Sequence, residues 1–230
     1  MEIRLISDIH VNFYKTASPV IDKLNELFPN INPDKEILVI PGDIGQIVDK
    51  ANKFDQKYYD VLKYLKSRWK YIIMVAGNHE YYGCTDMKYA SDLLSNVCEK
   101  FGIEFLNKET VEMFGYVFVG CTLWSNLNKE YWPEIEYRYE SFTDYKNLIN
   151  LYNSNVEWLD KTLTKNADKK VIVITHHVPS RKLIAGYFNR PEYDLSNTCY
   201  YSNLDWLIKK HSNNLAYWFC GHSHISELMV

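Results

Sequence analysis

The chain has no run of 18 apolar residues, and its amino terminus, MEIRLISDIH, carries Glu2 and Arg4 where a secretory leader would carry an apolar stretch. Neither a membrane span nor a signal peptide is expected. It also has no C-x-x-C pair: its 5 cysteines, Cys84, Cys98, Cys121, Cys199 and Cys220, are odd in number and scattered. That pattern speaks against a disulfide framework, predicts free thiols and points to a reducing, intracellular compartment, the cytoplasm. A broad basic field is missing as well. With 26 Lys and Arg against 29 Asp and Glu, the net charge of -3 argues against binding long duplex nucleic acid by phosphate neutralisation and leaves small ligands open. No internal repeat or low-complexity linker interrupts the sequence, and nothing in it sets an oligomeric state.

What is present is apolar and aromatic: 47% hydrophobic and 15% aromatic over 230 residues, including 19 Tyr and 6 Trp. Such a chain can bury a substantial core and does not have the composition of a disordered segment. Short apolar runs predict buried strands at 3–6, 37–40 (ILVI), 71–75 (YIIMV), 116–120, 171–174 (VIVI) and 215–220. Helical spacing predicts amphipathic helices between them. Ser18 as N-cap and Pro19 at N1 lead into Ile21, Leu24, Leu27 and Phe28; further stripes are Tyr58, Leu62, Leu65, Trp69, then Ala90, Leu94, Val97, Phe101, then Leu148 to Leu163, and Leu204, Leu207, Ile208. Strand and helix alternate, as in an α/β fold. The stretches 124–145 and 180–201 follow neither period and read as long loops.

The strands share a feature. Asp8 and His10 follow the first, Asp43 the second, Asn78, His79 and Glu80 the third, His176 and His177 the VIVI strand, and His222 and His224 the last. Singly, each group is compatible with an ordinary turn or helix cap. Together they hold all but one of the 7 histidines, the exception being His211 on a polar part of a helix. In open α/β sheets ligands bind beyond the carboxyl ends of the strands, so these ends should converge on one crevice. An Asp and a His two apart on an extended segment point the same way and suit chelation of one ion. An Asn oxygen ligates without adding charge, and a neighbouring His can ligate or donate a proton.

In order from Asp8 to His224, the segments D-x-H, G-D, G-N-H-E, a His after a strand and G-H-S-H resemble the signature of the calcineurin-like metallophosphoesterase family. The resemblance implies an α/β four-layer sandwich, two mixed β-sheets flanked by helices, forming a single domain over 1–230 with a metal site at the strand carboxyl ends. Carried over by position, it implies one ion held by Asp8, His10, Asp43 and His224 and another by Asp43, Asn78, His176 and His222, with Asp43 bridging. Ligands of these types suit Mn, Fe or Zn. Two such ions share and activate a water, and the hydroxide attacks phosphorus in line with the leaving group. His79 would protonate the leaving oxygen or stabilise charge on the phosphoryl group, with support of a ligand as the alternative. Glu80 is expected to orient its neighbours, and His177 to touch substrate or to steady a ligand. The family usually continues past its last histidine with strands that complete the second sheet. Only Ile225 to Val230 follow His224 here, so that edge is expected to be short or missing.

The implied activity is hydrolysis of a small phosphate ester, a diester or a monoester, with nucleotide-like molecules among the candidates. The alternatives are a nuclease on short or single-stranded ends and a non-catalytic interaction protein that retains the fold; against the latter, every expected position is filled. Tyr81, Tyr82 and the two irregular stretches are where the choice of ester should be made. Trp124, Trp132, Tyr137, Tyr187 and Phe188 are candidate stacking rings, and Arg138, Arg181 and Arg190 candidate phosphate clamps, unless they simply pack the loops onto the body.

Overall fold

The computed structural model describes residues 1–49, 53–84, 86–135, 144–186 and 188–224. Within them, β1 (Glu2–Leu5), β2 (Glu36–Pro41), β3 (Tyr71–Val75) and β4 (Glu104–Phe105) pair in that order, all in parallel. A second sheet runs β5 (Glu109–Met113), β6 (Tyr116–Cys121), β7 (Val171–Thr175) and β8 (Leu215–Phe219). There β5 is antiparallel to β6 and the other pairs are parallel. The two-sheet α/β arrangement is the expected one, with the mixed character confined to the second sheet among the described residues. The connections explain why. Parallel neighbours need a long crossover, and α1 (Ser18–Leu27), α2 (Gln56–Arg68) and α3 (Met87–Phe101) supply one between each successive pair of the first sheet. β5 and β6 are joined by Phe114 and Gly115, both at positive φ (51° and 78°), a tight turn that only an antiparallel pair can use.

The period-2 alternation along each strand builds the layers. Ile37, Val39, Ile73 and Val75 point from the first sheet toward Phe118, Ile172 and Ile174 of the second, forming a dry inter-sheet core. Leu38, Ile40, Ile72 and Met74 point the other way, onto Leu24, Leu62, Leu65, Leu94 and Val97 of α1 to α3. On the far side, Val117, Val119, Val171 and Val173 meet Leu159 and Leu163 of α5 (Tyr145–Lys165) and Leu207 of α7 (Asp205–Lys210). The strands therefore read as continuous apolar runs because both of their faces are covered. Local signals fix the helix ends: Asp55 accepts from the amides of Lys57 and Tyr58 ahead of α2, and Gly102 at φ 61° closes α3.

Several details differ from the sequence expectation. Ala17, not Ser18, is the N-cap of α1, and no side chain caps it. β4 and β5 escaped prediction because β4 has two residues and β5, ETVEM, is an edge strand with only Val111 and Met113 apolar. The irregular stretches hold short helical turns, α4 (Trp132–Ile135) and α6 (Asp194–Asn197) among them, and are tied together by the Asn128 amide donating to Thr198 Oγ1 at 3.1 Å. His211 is buried at the end of α7, with Nε2 at 2.7 Å from Asp160 of α5, rather than displayed on a polar face. All five cysteines are free thiols. Among the described residues, no helix is long and apolar enough to cross a membrane.

Phe118 is fully buried between the sheets. Phe118→Ala should cost about 3–5 kcal/mol, read as a lowered urea midpoint with unchanged m-value.

Candidate metal centre

The carboxyl ends of the two sheets are stitched to each other. Thr122 Oγ1 donates to Ala76 O (2.8 Å), and the His222 amide donates to both carboxylate oxygens of Asp8 (3.0 and 3.1 Å). At this seam the backbone leaves its ordinary range: Asp8, His10, Asp43, His222 and His224 all have φ between 50° and 67°. Left-handed backbone costs a non-glycine residue roughly 1–2 kcal/mol, and its concentration here turns each side chain abruptly out of its strand direction and into one space. Gly77 permits the close approach: a Cβ there would lie 2.1 Å from Asp43 Oδ1.

Around His176 Nε2 stand Asn78 Oδ1 at 2.9 Å, His222 Nδ1 at 3.1 Å and Asp43 Oδ2 at 3.3 Å. Their partners decide what these atoms are. His176 Nδ1 donates to Pro41 O at 2.7 Å, so in the neutral ring Nε2 carries the lone pair. His222 Nε2 donates to Cys199 O at 3.2 Å, which leaves its Nδ1 as a lone pair as well. Asn78 Nδ2 donates to Tyr82 Oη at 2.7 Å and turns its oxygen inward. Four acceptors thus face one point, an arrangement able to hold a cation at its centre. A second group adjoins it: His10 Nε2 is 3.0 Å from His224 Nε2, His224 Nε2 is 3.4 Å from Asp8 Oδ1, and His10 Nε2 is 4.0 Å from Asp43 Oδ2. The potential ligand atoms of Asp8, His10 and His224, and those of Asp43, His176 and His222, each lie within 4.8 Å of one another.

Electrostatics agree with this reading. Burial would raise the Asp43 carboxyl, but His176 beside it holds it far below the carboxylate range. Burial likewise works against charge on His176, yet the neighbouring Asp43 carboxylate lifts it to about 9. Burial lowers His222 to about 3, His79 to about 4, His10 somewhat and His177 well below its ordinary value, and all four are neutral at pH 7.

Glu80 is fully buried and accepts only donors: the amides of Asp43 (2.9 Å), Ile44 (2.8 Å), Gly45 (3.4 Å) and Gly77 (2.7 Å), and the Tyr58 hydroxyl (3.0 Å). Burial and the Asp43 charge push it up to about 7, but a proton on either oxygen would face a donor, so the network holds the carboxylate. The His79 amide donates to Asp43 Oδ1 at 2.9 Å, and the His79 ring lies 4.3 Å from that of His10 and 4.6 Å from that of Tyr82. Its Nδ1 is buried without a hydrogen bond. His177 is wholly buried, donates from Nδ1 to Thr122 O at 3.3 Å and packs its ring 4.2 Å from His222. It is closed to solvent.

The calcineurin-like phosphoesterase model matches residues 1–226. The chain belongs to this family. An uncharacterized protein of Acanthamoeba polyphaga mimivirus is 28% identical over 255 aligned positions, covering 99% of this chain and 86% of that one. The crystal structure of a phosphopantetheinyl hydrolase from Mycobacterium tuberculosis matches with a TM-score of 0.71 at 18% identity, over 98% of this chain and 84% of that one, and shares the fold.

In this phosphoesterase several of the candidate substrate residues pack the loops onto the body, the alternative the sequence left open. Trp124 and Tyr81 are buried against each other, Trp132 packs on Tyr145, Phe188 on Tyr193, and Arg181 is ion-paired with Asp194. Arg190 lies 3.9 Å from Glu192; Arg138, Tyr137 and Tyr187 fall outside the described residues. The rings that do reach the histidines include Tyr82, Tyr200, 5.0 Å from His222, and Phe13. Sequence reasoning passed over Phe13 and Tyr200, since neither carries a motif.

Two outcomes follow from these networks. Glu80→Gln places an amide NH₂ against backbone donors and should destabilise by ~3 kcal/mol in denaturant unfolding, with loss of metal binding. Because an ion must displace the His176 proton, retained up to about 9, metal affinity should climb about tenfold per pH unit from 7 toward 9 in chelator competition. A flat profile would mean that His176 holds no proton for the ion to displace.

Proposed function

We propose that this phosphoesterase hydrolyses small phosphate esters with two divalent ions drawn from Mn, Fe and Zn. Asp8, His10, Asp43 and His224 would hold one, and Asp43, Asn78, His176 and His222 the other. The observation that carries the reading is the convergence of acceptors on His176 Nε2, with both rings and the Asn78 amide oriented by outside partners. Asp43 Oδ2 faces His176 at 3.3 Å and His10 at 4.0 Å, so Asp43 adjoins both groups of candidate ligands. When bound, the ions would supply an activated water and Lewis acidity toward the phosphoryl oxygens.

The chain's own groups do the rest. Asp43, pinned through Oδ1 by the His79 amide, cannot rotate away from either cluster. His79 would act on the leaving oxygen. Lowered to about 4 by burial, its ring is neutral at pH 7, so it offers an N–H hydrogen bond and gains full acidity only as an anionic substrate raises it. A net charge of -3 favours a small ester over a long nucleic acid, with a nuclease on short ends as the second reading.

The test is hydrolysis of p-nitrophenyl mono- and diesters by Mn-loaded protein, with EDTA as control. Asn78→Ala should lower the bound metal from two ions toward one. His79→Ala should keep both and lose roughly 10²–10⁴-fold in kcat. A metal-loaded wild type inactive on every ester would overturn the proposal.

A further inference from the structure

Phe13 is the most exposed large hydrophobic side chain among the described residues, at 74%, and it stands beside the proposed proton donor. Its ring centroid is 6.1 Å from that of His79 at 74° and 5.7 Å from that of His10. A lone exposed Phe is unremarkable on a protein surface. What distinguishes this one is how firmly its backbone is held.

Phe13 ends a 3-10 turn, Val11–Phe13, that begins at His10 in the left-handed region. Val11 is fully buried and its amide donates to Ile44 O at 2.8 Å, while the His10 amide donates to Asp43 O at 3.1 Å. Lys57 Nζ reaches over from α2 to donate to Asn12 O at 3.4 Å and Tyr14 O at 3.1 Å, bracketing Phe13 on both sides. The turn is thus anchored to the loop that carries Asp43, and the ring it displays contributes to no core cluster. An exposed ring on a held backbone loses less entropy on contact than one on a mobile loop, and so can contribute to binding.

We propose that Phe13 is the stacking platform for a planar, aromatic or heteroaromatic ring carried by the departing alcohol, so that the favoured substrates are aryl or nucleoside esters rather than phosphate esters of simple alcohols without a ring. The inference rests on the proposed function, because it is His79 at the leaving oxygen that brings the departing group to Phe13. The Tyr82 ring lies 4.6 Å from that of His79.

The test compares wild type, Phe13→Ala, Phe13→Leu and Phe13→Trp, all Mn-loaded. Phenyl and methyl phosphate are the substrates, and phenylphosphonate and methylphosphonate the non-hydrolysable ligands for calorimetry. Referring each variant to wild type cancels the different reactivity of phenol and methanol as leaving groups. Phe13→Ala should lower the phenyl-to-methyl ratio of kcat/KM roughly tenfold, mainly through KM, and weaken phenylphosphonate relative to methylphosphonate by a similar factor. Phe13→Leu should resemble Phe13→Ala, and Phe13→Trp should restore the ratio. Equal losses on both esters, or no loss on either, would overturn the inference. Should the wild type hydrolyse no ester, the proposed function fails, and the phosphonate titrations still decide whether Phe13 selects a planar ring.

Discussion

Everything at the catalytic edge depends on one buried carboxylate that is not itself a candidate ligand. Glu80 gathers the amides of Asp43, Ile44, Gly45 and Gly77 and the hydroxyl of Tyr58, and in doing so ties the loop after β2 to the loop after β3. Those backbone donors would otherwise be buried without partners, so the cost of disturbing them is that of several unmet hydrogen bonds at once. The same clamp holds the Asp43 loop in its left-handed turn and brings the His79 amide onto Asp43 Oδ1. Strain and clamp belong together, because a backbone held in a sparsely populated conformation persists only where its surroundings over-determine it.

On that frame the side chains are arranged so that their lone pairs, not their protons, face inward. Pro41 O, Cys199 O and the Tyr82 hydroxyl each take a proton from the outer side of a candidate ligand and thereby fix which atom points into the site. The acceptors come from both sheets, and each sheet alone offers an incomplete set. Asp8 and Asp43 bring negative charge from the first sheet; His176 and His222 bring imidazole nitrogen from the second. Burial keeps most of these imidazoles unprotonated, and the charge of Asp43 singles out His176 as the exception. A centre so made has a strong demand for positive charge and little tolerance for a missing member.

The mouth of the site is built differently. Phe13, Tyr82 and Tyr200 present rings around the histidines, while the arginine and tryptophan that loop composition suggested, Arg181 and Trp124, are engaged in an ion pair and in the core. The excursion around 180–201 contributes both the Tyr200 ring and the Cys199 carbonyl that orients His222. A backbone carbonyl leaves no trace in residue type, so composition could not show that part.

The sequence by itself determined the α/β alternation, because strands covered on both faces must be apolar throughout and stand out as ILVI, YIIMV and VIVI. It also determined which residues are candidates, since a carboxylate or imidazole at the end of such a strand has no structural reason to recur five times. The short edge strand ETVEM stayed hidden because only one of its faces is covered, and Ser18 looked like a cap because capping residues look alike before the chain's entry angle is known. Tertiary structure alone decided the tautomers of His176 and His222, the withdrawal of His177 from solvent, the pairing of His211 with Asp160 and the exposure of Phe13. Each of these depends on which distant backbone atom or charge a side chain meets, and that is a property of the packed molecule, not of any local stretch of the chain.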